Sequence, residues 1–161
     1  MQMRFNIDAA ILCLDFRKAF DTVELQFLIL VLEKFGFNNS FINWIKSIYH
    51  NISTSIQNNG WLSDSFHPQR GLRQGCPISS LLFIIVAEIM ATNIRNNNEL
   101  KGISIKTNDI TKTIKLSQLA DDTTLFLSSK NEIKLALNIV EDFGKHSGSP
   151  IVAKNRVGVG C

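Results

Sequence analysis

The apolar positions of this chain change their rhythm several times along its length. From Ala9 to Leu14 they run without interruption, short enough for a strand buried on both faces, and Asp15 ends the run. From Asp21 to Phe35 the stretch DTVELQFLILVLEKF is apolar almost all round, which predicts a buried helix with Asp21 as N-cap and Gly36 as its stop. Ser40 opens a second helix in which Phe41, Trp44, Ile45 and Ile48 form one face, ending near His50. Ser53 to Gln57 and Trp61 to Phe66 flank Asn58-Asn59-Gly60 and read as a hairpin. Pro77 suits the first turn of a helix whose body runs from Ser79 to Asn96, with Arg95 complementing the dipole at its end. Strands are expected next at Ile103–Lys106, Thr111–Ala120 and Thr123–Ser128. Ser129 then caps a helix striped by Ile133, Ala136, Leu137, Val140 and Phe143, which Gly144 weakens. Beyond Gly148 the pattern dissolves. This order predicts an α+β fold, an antiparallel sheet backed by helices, without repeats or an interdomain linker.

Composition narrows the picture only slightly. With 161 residues, 45% hydrophobic and 19% charged, the chain has the make-up of one globular domain. Its net charge of +3 is too small for a protein that coats DNA. Cys13, Cys76 and Cys161 form no CxxC pair, and His50, His67 and His146 are equally scattered, which argues against zinc and for a reducing compartment. The longest apolar run, Leu81 to Ala87, falls well short of a bilayer span and is interrupted by Glu88, so no membrane association is expected. Ala9 to Leu14 is bracketed by Asp8 and Asp15 and does not read as a signal core.

The chemistry is concentrated in carboxylates at strand ends. Asp121 and Asp122 lie between two apolar strands, where hairpins ordinarily carry Asn-Gly or Asp-Gly. An isolated acidic pair in a turn is most often just solvated. Asp15 changes the weighing, because it too closes a strand, and neighbouring strands would bring three carboxylates together. Such a cluster repels itself unless cations hold it, and magnesium, with its preference for hard oxygen ligands and phosphates, is the natural partner. Two such ions mark enzymes of phosphoryl and nucleotidyl transfer. A second element, Arg70-Gly71-Leu72-Arg73-Gln74-Gly75-Cys76-Pro77, joins close backbone approach to a helix N-terminus that can meet a phosphate, although a plain loop reads equally well. In Phe16-Arg17-Lys18-Ala19-Phe20-Asp21 a strand turns sharply into a helix beside the first acid, and Phe20 taken alone would be plain core.

Together these segments resemble a known family. Residues 11–23, ILCLDFRKAFDTV, residues 70–83, RGLRQGCPISSLLF, and residues 116–127, LSQLADDTTLFL, occur in the order of palm motifs A, B and C of reverse transcriptases of non-LTR, LINE-type retrotransposons. The resemblance runs from about Ile11 to Phe143 and implies a right-hand-polymerase palm with a ferredoxin-like core. It also implies RNA-directed DNA synthesis from dNTPs on an RNA template and a DNA primer, in the service of DNA integration. Asp15, with the Phe16 carbonyl, and Asp121 and Asp122 match the catalytic ligands of two Mg2+ ions, for which Mn2+ can substitute. Phe20 stands where the family places the aromatic that rejects a 2′-hydroxyl, with Ala19 in the same pocket. Gln74 and Gly75 match the pair that shapes the nucleotide pocket, and Arg73 is a further nucleotide-binding candidate.

Measured against the family, residues 1–161 represent a partial reverse transcriptase domain, with motifs A to C and a degenerate motif D at 147–161, in which Lys154 is a candidate lysine. Fingers and thumb would be absent, and as the natural packing partners of this palm their loss predicts instability or aggregation. Leu119 replaces the usual Phe or Tyr, and Ser80 a frequent Pro. The family works in the nucleus or in a cytoplasmic ribonucleoprotein, though no address is written in the sequence. The alternatives are a non-catalytic remnant that binds RNA weakly, an RNA-templated RNA polymerase and a nucleotide cyclase.

Overall fold

A computed structural model describes residues 9–107 and 110–159. Strand β1, Ala9–Phe16, continues through Asp15 by one residue, and alternate residues Leu12, Leu14 and Phe16 are buried. The helix predicted from Asp21 to Phe35 is two helices, α1 (Ala19–Thr22) and α2 (Leu25–Lys34). Asp21 is therefore not an N-cap. Tertiary pull breaks the helix: Val23 is fully buried with extended backbone, and the Glu24 N–H donates to the Ser147 carbonyl at 2.9 Å. Helix α3 (Asn39–Tyr49) starts before Ser40, because the Asn38 side chain accepts from the Phe41 N–H at 2.8 Å and is the true cap. Trp44 faces solvent there, while Ile42, Ile45 and Tyr49 are buried.

The hairpin forms as expected, with short strands β2 (Gln57–Asn58) and β3 (Trp61–Leu62), and both Asn59 and Gly60 have positive φ as a tight hairpin turn demands. Helix α4 spans Pro77–Asn96, with Pro in its first turn. By length and composition it could cross a membrane, which the run from Leu81 to Ala87 understates, since the residues after Glu88 are again apolar. In this fold it is the central core helix, with Leu82, Phe83, Val86, Met90 and Ile94 buried. Arg95 does not serve its last turn alone but pairs with Glu88. The helix end is closed by Lys115, whose ammonium donates to the Arg95 and Asn97 carbonyls at 2.8 and 2.7 Å.

Strands β4 (Ile103–Thr107) and β5 (Ile110–Ile114) pair with each other, and the Asn108-Asp109 tip expected between them lies outside the described residues. The strand predicted from Thr111 to Ala120 breaks at Lys115, beyond which β6 (Leu116–Leu119) pairs with β7 (Asp122–Leu127). Helix α5 (Glu132–Ser147) has Asn131, not Ser129, at its N-cap position; the Ser129 carbonyl instead accepts from the Glu132 N–H at 3.2 Å. It runs through Gly144 to a left-handed Gly148. Where the sequence pattern dissolves, the structure has a further strand of 9 residues, β8 (Ile151–Val159), paired along β1.

The main sheet has the order β6-β7-β1-β8, with all three pairings antiparallel. With the helices α1–α4 after β1 and α5 after β7, this is the β-α-β-β-α-β arrangement of a ferredoxin-like core. Leu12, Leu14, Phe16, Leu125 and Leu127 form the sheet's helix-facing side, and the Phe16 ring meets Phe83 and Phe143 edge-on at 5.4 and 6.2 Å.

Candidate active site

Register places the acids. In the antiparallel pair β1–β7, Asp15 stands directly opposite Asp122, next along from the buried pair Leu14–Thr123 and so on the other face of the sheet. Directly opposed residues share a face, so both carboxylates lie on the side of the sheet away from the helices. Asp121 adjoins them in the two-residue turn Ala120-Asp121 that joins β6 to β7 and is only partly exposed. Ala120, before it, has φ +53°. Among the described residues, no group of three or more His, Cys, Asp or Glu side chains is brought close enough together to hold a metal ion. The convergence is one of strand register, two acids paired across strands and the third in the adjoining turn.

This donor set suits a hard divalent cation. Two carboxylates opposed across an antiparallel pair repel one another, and here they stand at the end of β1 and the start of β7. Asp15 and Asp122, with Asp121 in the adjoining turn, are the carboxylates that could hold a cation such as Mg2+ here.

The motif around Gln74 is docked onto the start of α1. The Leu72 N–H donates to the Phe20 carbonyl at 2.6 Å, and the Gly71 N–H donates to the Val23 carbonyl at 2.9 Å. Gly71, at φ +100°, passes so close that a Cβ there would lie 2.8 Å from the Asp21 carbonyl oxygen, so glycine is required. Arg73 to Cys76 form a turn closed by the Cys76 N–H on the Arg73 carbonyl at 3.3 Å, and Gly75 supplies the positive φ, +80°, that a type II turn needs in its third position. Arg73, Gln74 and Gly75 are all exposed at the mouth of this loop. Arg70 lies back from it, 3.7 Å from Glu24.

Ala19 is buried and Phe20 half-buried, its ring 5.2 Å from that of Phe83. Phe20 is thus both packed and open on one side. Sequence reasoning misses one polar contact here: the Gln74 Nε2 donates to Asp21 Oδ1 at 2.8 Å. No spacing rule links two residues 53 apart, and the carboxylate expected to cap a helix serves the loop instead. On the other side of α1, the Arg17 N–H donates to the Pro150 carbonyl at 2.9 Å and Thr22 Oγ1 to Ser149 Oγ at 3.2 Å. The backbone of Lys154 belongs to β8.

Solved structures of similar shape agree with this topology. Apo telomerase from Candida tropicalis superposes with a TM-score of 0.67 at 14% identity, covering 95% of this chain and 29% of that one. Telomerase from Candida albicans, in complex with a fragment of telomeric RNA, gives 0.62 at 14% identity over 94% and 28%. The fold is that of a right-hand polymerase palm. The chain belongs to the reverse transcriptase (RNA-dependent DNA polymerase) family, whose model matches residues 6–154.

Its relatives are mobile-element proteins. It is 30% identical over 148 residues to the transposon TX1 uncharacterized 149 kDa protein of Xenopus laevis, a match covering 92% of this chain and 11% of that protein. It is 28% identical over 130 residues to the retrovirus-related Pol polyprotein from the type-2 retrotransposable element R2DM of Drosophila melanogaster, covering 81% and 12%. A Pol polyprotein from the type-1 element R2 of Popillia japonica is 30% identical over 123 residues, covering 76% and 19%. The chain therefore spans less than a quarter of the length of these relatives.

Proposed function

We propose that this chain is the palm of a non-LTR retrotransposon reverse transcriptase, acting on dNTPs with an RNA template and a DNA primer. The observation that carries the reading is the pairing of Asp15 with Asp122 at the end of β1 and the start of β7, with Asp121 in the adjoining turn. These three carboxylates and the Phe16 carbonyl are the groups that would hold the two Mg2+ ions, or Mn2+. Bound there, the ions supply what in-line nucleotidyl transfer needs: a more acidic primer 3′-hydroxyl and compensation of charge on the phosphates. The chain's other residues act by position. Phe20 and Ala19 wall the space under the incoming sugar and exclude a 2′-hydroxyl. Gln74 and Gly75 shape the nucleotide pocket, and exposed Arg73 adds positive charge at its mouth. The 3′-hydroxyl gives up its proton to water, its oxygen bonds to the α-phosphorus as the bond to the bridging oxygen breaks, and pyrophosphate leaves, with no side chain acting as nucleophile.

Residues 1–161 form part of a reverse transcriptase domain, with fingers and thumb as packing partners, working in the nucleus or a cytoplasmic ribonucleoprotein. Primer extension on an RNA template, with dNTPs and rNTPs in parallel, tests the reading. Extension with dNTPs that Asp121→Ala abolishes is expected; extension that survives this change overturns it.

A further inference from the structure

We propose that Asp21 is a positioning residue that fixes which way the Gln74 amide faces in the nucleotide pocket. The inference rests on the reading of this site as a reverse transcriptase palm. A glutamine amide presents an acceptor oxygen on one side and two donor hydrogens on the other, and rotation about its last bond exchanges them. Ionised Asp21 is acceptor-only, so it admits only the Nε2 side, at 2.8 Å. Oε1 is thereby turned away from Asp21 as an acceptor for a ligand.

The surrounding backbone makes the contact part of a clamp. The Leu72 N–H on the Phe20 carbonyl and the Gly71 N–H on the Val23 carbonyl straddle Asp21 in sequence, and Gly71 packs against the Asp21 backbone itself. The aromatic beneath the sugar and the amide of the pocket are therefore held to one another through residues 20–23. Gln74 is exposed, so without this carboxylate its amide would sample both orientations. Asp21 touches neither substrate nor metal in this scheme; it acts through Gln74.

The test reverses the polarity of the pair in the full chain. Gln74→Glu alone sets two carboxylates against each other and raises the KM for dNTP about tenfold, as loss of a charge-assisted contact would, with kcat nearly unchanged. Asp21→Asn with Gln74→Glu restores an amide against a carboxylate and still offers an acceptor oxygen to the pocket, so KM returns to within about threefold of wild type. A double variant as poor as Gln74→Glu overturns the proposal, as does an effect confined to kcat. A separate readout does not depend on polymerase activity. In the wild-type chain the two side-chain amide protons of Gln74 are widely split in a 15N-resolved NMR spectrum, and in Asp21→Ala they draw together. An unchanged splitting overturns the coupling. Extension by the wild type that is insensitive to Asp121→Ala overturns the reverse transcriptase reading while leaving the NMR result to decide on Asp21.

Discussion

Lys18 at φ +54° and Ala120 at φ +53° adopt a left-handed backbone that L-residues other than Asn and Asp rarely tolerate. Lys18 comes shortly after Asp15, and Ala120 directly precedes Asp121, so the strained positions border the proposed acids. Glycine at 120 relieves strain worth about 1–2 kcal/mol but loosens the unfolded chain by about 0.5–1 kcal/mol, so Ala120→Gly raises the urea midpoint slightly. A lower midpoint would show that the alanine is not strained. The reverse case is Gly71→Ala, which drives a methyl into the Asp21 carbonyl and destabilises by about 1–3 kcal/mol, read from the same denaturation curves. At Phe20, a ring held by Phe83 and proposed to lie beneath the sugar, Phe20→Val is expected to relax dNTP-over-rNTP discrimination by at least about tenfold in single-nucleotide incorporation. The acids are legible in sequence because strand ends and a turn announce themselves. The contact of Asp21 with Gln74 is not, because it depends on a loop docking that only the assembled fold creates.

Elements marked by cap and turn chemistry are legible nearly to the residue, as Pro77 in the first turn of α4 and the hairpin turn at Asn59-Gly60 show. Where tertiary contacts outweigh local preference, sequence reading fails. The extended Val23-Glu24 break between α1 and α2 is held by a hydrogen bond to Ser147, more than a hundred residues away. Strand β8 is invisible in the pattern because KNRVGV has no clean alternation; its partner β1 defines it. Gly144, which the pattern marks as a weak point of α5, is instead a close-approach position, where a Cβ would come within 3.0 Å of the Ser149 carbonyl oxygen. Helix α4 carries the largest share of the buried side chains. Met90→Ala removes a fully buried side chain and costs about 2–5 kcal/mol, measurable as a drop in thermal midpoint.

On the scale of the whole molecule, polar and apolar surface are unevenly distributed. The β2–β3 hairpin exposes Trp61 at 82% and Leu62 at 71%, more than solvation favours, with Ile56 and Phe66 also exposed nearby. Trp61→Ser with Leu62→Ser is expected to reduce concentration-dependent association in light scattering while leaving the thermal midpoint unchanged; a lowered midpoint would mean that these side chains support the fold. The hairpin shares no strand with the sheet that holds the acids. Strand β1, by contrast, has a neighbour on either side, β7 and β8. In deuterated water its interior amides can exchange only when the sheet itself opens, whereas those of the hairpin exchange through local fraying. The strand bearing Asp15 is thus, with β7 beside it, one of the slow clocks in the molecule, and a protease nick in the hairpin would leave it keeping time.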